Sequence, residues 1–172
     1  MTTPSILQQI RRAHALEHAT IHVLTRRHPG RTFAGRSNQH GFTIMGAASA
    51  DEIRSAVSSA LERLQHGEKE LAYHPNCGTN LVVGGLFSGA AAFLTTLSFR
   101  ETSWKKRIEQ FPTVISISTL ALIAAQPLAV LAQKRLTTNP DMGALMIERV
   151  EKIPFGSLCA HRVSLDHRND QS

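Results

Sequence analysis

The chain has 172 residues and a formal net charge of +6, enough for one compact domain or a small domain with an appendage. Its basic residues are scattered and accompany no RNA- or DNA-binding motif, which argues against a nucleic-acid partner. Two cysteines, Cys77 and Cys159, are too few for a disulfide framework, and the first residues lack the apolar core and small-residue cleavage site of a signal peptide.

In chain order, Pro4 and Ser5 open a helix in which Ile6, Ile10, Ala13, Ile21 and Leu24 recur at helical spacing, and Pro29 with Gly30 closes it. The next stretch, RTFAGRSNQHGFTIMGAAS, sets short apolar runs around a polar, glycine-flanked centre. It predicts a β-hairpin with a long or bulged turn. In SADEIRSAVSSALERLQHGE, Ser49 and Glu52 form a capping box, Ile53, Val57, Ala60, Leu61 and Leu64 an apolar face, and Gly67 the stop.

From Leu71 to Phe99 there is no Asp, Glu, Lys or Arg, and a second uncharged run covers residues 111–133. A spanning helix needs about 20 apolar residues, which each run supplies. The short charged link RETSWKKRIEQ makes them a transmembrane hairpin, with Gly85 and Gly89 as a small-xxx-small pair for close packing, Gly84 and Ser88 on a neighbouring row, and Pro127 bending the second helix near one end. After it, ALMIERVEKI and SLCAHRVSLDH predict two strands around a PFG turn, followed by a frayed RNDQS tail.

The expected architecture is therefore an α+β membrane protein. Residues 1–79 form a soluble N-terminal arm, 80–133 the hairpin, and 134–172 a C-terminal arm packing on the first, with strands of both arms in one antiparallel sheet. Basic residues flank the spans on both sides, so the positive-inside rule does not decide orientation. With no signal peptide, the arms are expected in the cytoplasm and the protein in the inner membrane as a multi-pass protein.

Nine histidines are many for this length, and the first helix concentrates them. His14 and His18 stand at i and i+4, on one face, with Glu17 beside both. Two neutral imidazoles leave Zn²⁺ most of its charge and open positions. The metal then acidifies a bound water, which a neighbouring carboxylate deprotonates. His22 lies about 12 Å along the helix from His14 and does not complete the same site. A further ligand is expected from AYHPNCGTN, where His74 and Cys77 are both zinc-ligand types. Thr79 and Asn80, at a helix entry, would offer backbone N–H groups to an oxyanion, with His22 and Asn76 as supporting neighbours.

The combination of HALEHAT, GRS…GF…G, ALERLQHGE and HPNCGTN ahead of a membrane hairpin resembles an uncharacterised family of small bacterial membrane proteins, from cyanobacteria and green non-sulfur bacteria, over residues 10 to about 165. Locally, H-x-x-E-H resembles the inverzincins, the pitrilysin-like metallopeptidases. That resemblance implies His14 and His18 as ligands and Glu17 as base. Two functions follow as expectations. One is a membrane-anchored, zinc-dependent, peptidase-like hydrolase in which His14, His18 and either His74 or Cys77 hold the metal. The other is a non-catalytic accessory or assembly subunit of a larger membrane-protein complex, with the His/Glu/Cys cluster as a structural metal site or hydrogen-bond clamp.

Overall fold

The computed structural model describes residues 4–74, 77–99, 103–156 and 158–167. Asn76, the middle of the link between the uncharged runs and the RNDQS tail lie outside the described residues. The chain divides into two compact units: residues 1–74 with 134–172, and residues 75–133.

In the first unit, α1 (Ile6–Arg27) begins at Ser5 and α2 (Ala50–Gln65) at Ser49. Both have a full capping box. The Ser5 hydroxyl accepts from the Gln8 N–H while the Gln8 side chain accepts from the Ser5 N–H, and Ser49 and Glu52 do the same. His28 Nε2 approaches Glu52 Oε1 at 3.3 Å, tying the end of α1 to the start of α2.

Strands β1 (Ala34–Asn38) and β2 (Gly41–Met45) make a tight hairpin in which Asn38 pairs with Gly41. The turn is thus two residues, Gln39 and His40, and not the long or bulged one the sequence suggested. The Asn38 side chain accepts the His40 N–H at 3.0 Å, which closes the turn locally. Gly41 holds φ +131°, a value that L side chains rarely adopt.

Strands β3 (Met146–Phe155) and β4 (Leu158–Asp166) form the second hairpin, and β2 pairs with β4 to give the antiparallel order β1-β2-β4-β3. Sequence-distant strands thus share one sheet. Phe42 and Ile44 of β2 and Val163 of β4 point into a core completed by Leu16 and Leu24 of α1 and Ile53 and Val57 of α2, all fully buried.

The second unit is helical: α3 (Gly78–Ser98), α4 (Trp104–Ala124) and the short α5 (Gln126–Ala132). α4 starts at Trp104, before the uncharged run, because Lys105, Lys106, Arg107 and Glu109 join its first turns. The helix breaks at Ala125, ahead of Pro127, and the helix 126–137 leaves α4 at 41°. α3 and α4 lie side by side at Gly84, where an added Cβ would come within 2.7 Å of Leu122 Cδ1. Gly85 and Gly89 face open space.

α3 is long and apolar enough to cross a membrane, and α4 with its bent continuation qualifies only if the pair counts as one span. Just 6% of the most apolar window of α3 is buried, whereas a helix in the core of a soluble protein would be mostly covered. Leu81, Val82, Leu86, Phe93 and Leu94 are all exposed along it.

Candidate metal centre

His14, Glu17 and His18 sit on the middle of α1, where residues 15–21 are all buried. Glu17 is 4% and His18 3% exposed, between fully buried Leu16 and Ala19. Such a polar pair inside a core is costly unless each group is satisfied.

The two histidines are held by backbone oxygens from far along the chain. His14 Nδ1 lies 3.0 Å from the Thr137 carbonyl, and His18 Nδ1 lies 2.8 Å from the Ala72 carbonyl. A carbonyl oxygen only accepts, so Nδ1 carries the proton in both rings. The neutral ring then keeps its lone pair on Nε2, the form in which imidazole binds a metal, with its other nitrogen donating as metal-binding histidines usually do. The ring centroids stand 4.3 Å apart, edge to face. The ligand-capable nitrogens of the pair lie within 4.8 Å of one another. A tetrahedral ion about 2.1 Å from both nitrogens needs them roughly 3.4 Å apart, so a small side-chain adjustment brings them onto one metal.

Around the pair, Arg11 Nη2 donates to the carbonyls of Arg135 at 2.9 Å and Thr138 at 3.1 Å. The Asn139 N–H donates to the Arg11 carbonyl at 3.0 Å. These bonds fasten the segment after the helical unit onto α1 and place the Thr137 carbonyl over His14.

On the other side, the turn Lys69–Ala72 delivers the Ala72 carbonyl to His18, and the Tyr73 carbonyl accepts from His22 Nε2 at 2.9 Å. Lys134 stands 4.8 Å from the centre of the Tyr73 ring.

His74 extends the row. Its ring centroid is 5.9 Å from that of His18 and 5.0 Å from that of His22. The order along the row is His14, His18, His74, His22. Its first members, His14 and His18, are joined by donors close enough to share an ion, and Glu17 is not among those clustered donors. Glu17 instead lies over Gly35 of β1: a Cβ there would fall 2.6 Å from Glu17 Cγ and Cδ.

Cys77 is buried at the start of α3 and forms no disulfide. The Asn80 N–H donates to the Cys77 carbonyl at 2.9 Å, so the backbone donor expected to face an oxyanion is engaged within its own helical turn. Thr79 is half-buried in that turn.

Sequence reasoning missed four contributors: the Ala72 and Thr137 carbonyls, Arg11 and Gly35. Only Gly35 left a usable signal, as a glycine inside a strand pattern, which often marks a close approach of another group.

The fold and site define a two-helix, antiparallel-sheet unit with a preset histidine pair, in a chain that also carries a long apolar helix. The chain belongs to the DUF6391 family, a domain of unknown function, whose model matches residues 9–150. It is 32% identical over 176 residues to an uncharacterized protein of Picosynechococcus sp. (strain PCC 7002), covering 94% of this chain and 82% of that protein. No solved structure matches it.

Proposed function

We propose that the protein is a membrane-anchored, zinc-dependent hydrolase of peptidase-like chemistry. The observation that carries this reading is the fixed tautomer of His14 and His18, each with Nδ1 on a backbone carbonyl, which puts the lone pair that a metal would take on Nε2. Cys77 is the third ligand in this reading. It follows His74 by three residues, about 11 Å of chain at most, and His74 already abuts His18 at 5.9 Å. Three protein ligands would leave zinc a position for water, and the metal would supply the charge that acidifies it.

Glu17, buried next to His18 in the sequence of α1, would serve as the base for a water activated there and as the acid that returns a proton to the leaving group. His74 and His22 extend the imidazole row away from the metal. The apolar helix α3, with the helix pair that follows it, anchors the chain as a hairpin in the inner membrane with both arms in the cytoplasm. The length and exposure of α3 support the membrane span in this reading.

A second reading is a non-catalytic clamp in an accessory or assembly subunit. It is favoured by the same carbonyl contacts, since His14, His18 and His22 join α1 to Thr137, Ala72 and Tyr73. One comparison separates the two. In the hydrolase, Glu17→Gln keeps one zinc per chain and slows hydrolysis of a peptide library by about 10²–10⁴-fold. In the clamp, wild type shows no hydrolysis and its metal has a closed shell of four protein ligands.

A further inference from the structure

Gly35 is not a glycine for backbone reasons. Its φ lies outside the positive region that marks Gly30, Gly41, Gly46, Gly67, Gly143 and Gly156. What is unusual is the space beside it. A Cβ at 35 would sit 2.6 Å from Cγ and Cδ of Glu17 and closer still to Oε1, inside the 3.0 Å that real Cβ atoms essentially never enter. At other crowded glycines the neighbour is a backbone carbonyl (Gly41), an aromatic ring (Gly46) or a leucine methyl (Gly84). At Gly35 it is an ionisable carboxylate that is itself 4% exposed.

We infer that Gly35 is a positioning residue whose bare Cα is the seat of the Glu17 carboxylate, and that a side chain at 35 turns the carboxylate away from the site on α1. A glutamate has three rotatable bonds, and a base that must take one proton from one water works best when those are already fixed. α1 fixes the start of the side chain through its backbone, and β1 fixes the end by giving it the room that any other residue would fill. Gly35 pairs with Ile44 of β2, fully buried in the core. The seat is thus held in sheet backbone paired to the core strand β2. The role of the seat in hydrolysis rests on the reading of Glu17 as the base, whereas the seat itself does not.

The test uses the full chain in detergent and Co²⁺ as the probe. In metal-free protein, Gly35→Ala should lower the thermal midpoint by about 4 °C or more, and should cost much less in a Glu17→Ala background, where the three atoms nearest the added Cβ are gone. An equal loss in both backgrounds, or no loss in either, overturns the seat.

With Co²⁺ bound, Gly35→Ala should keep one ion per chain but shift the visible absorption of the metal to the envelope of Glu17→Gln, and should add no shift on top of Glu17→Gln. A spectrum unchanged by Gly35→Ala, while Glu17→Gln changes it, overturns the positioning role. Failure of the wild type to bind Co²⁺ would overturn the metal reading and the role of the seat within it, and the metal-free cycle would still decide whether Glu17 is seated on Gly35.

Discussion

His18 shows how much of a site one side chain can announce and how much it cannot. Its spacing from His14 and its adjacency to Glu17 were legible, because helical periodicity turns sequence distance into direction. The carbonyls that set its tautomer were not, since Ala72 lies 54 residues away and Thr137 lies 123 residues from His14. A backbone oxygen leaves no residue type to recognise. If the pair binds zinc, His18→Ala should abolish stoichiometric metal, as elemental analysis of the purified chain would report.

His161 offers a second residue-scale expectation. It is 2% exposed on β4, and its Nδ1 has no hydrogen-bond partner among the described residues. Burial, with Lys152 opposite on β3, holds it below its ordinary value of 6.5. Between the two pKa values the unfolded chain binds a proton that the folded chain refuses. The stability contribution is therefore full above about pH 6.5 and falls as the pH drops through the lower folded value. The thermal midpoint should decline from about pH 7 to about pH 5, and less so in His161→Gln. Equal declines would place the effect elsewhere.

At the scale of elements, α2 was legible from Ser49 to its glycine stop, because a capping box and an apolar stripe are local signals that agree. Removing the cap with Ser49→Ala should cost about 1 kcal/mol in denaturant unfolding. The β1–β2 hairpin was legible as a hairpin but not in its turn. Three glycines and a polar centre suggested a long connection, while the Asn38 side chain closes it in two residues. The helical unit carries a similar lesson. The small residues Gly84, Gly85, Ser88 and Gly89 named the right region, yet the pair expected to pack, Gly85 and Gly89, faces open space, because composition cannot say which row meets the partner helix. Gly84 meets Leu122, whereas Gly85 faces open space. Gly84→Leu should therefore push α3 and α4 apart and lower the thermal midpoint, and Gly85→Leu should be near neutral. The reverse order would place the α3–α4 contact on the wrong row.

For the whole molecule, the two arms of the chain were expected to share a sheet, and β2 does pair with β4 across more than a hundred residues. The second uncharged run is less simple than its composition: charged residues extend α4 at one end and Pro127 breaks it near the other. A long apolar run specifies burial in something, and neither its length nor its hydropathy specifies a straight helix. The proposed hairpin in the membrane has a direct check. Cys159 is exposed on β4, and Ser103 precedes α4 and is exposed. In sealed vesicles, an impermeant thiol reagent should reach Cys159 and a Ser103→Cys variant from opposite sides. Labelling of both from one side would rule out two spans.

The proposed zinc site meets its most direct trial in X-ray absorption at the zinc edge, recorded on the purified full chain with one equivalent of metal. The expected shell is two imidazole nitrogens at about 2.0–2.1 Å, one sulfur at about 2.3 Å and one oxygen from water. The sulfur should vanish in Cys77→Ser, and stoichiometric zinc should vanish in His18→Ala. A wild type that retains no zinc, or a His18→Ala variant that retains as much as wild type, would contradict a metal centre on α1.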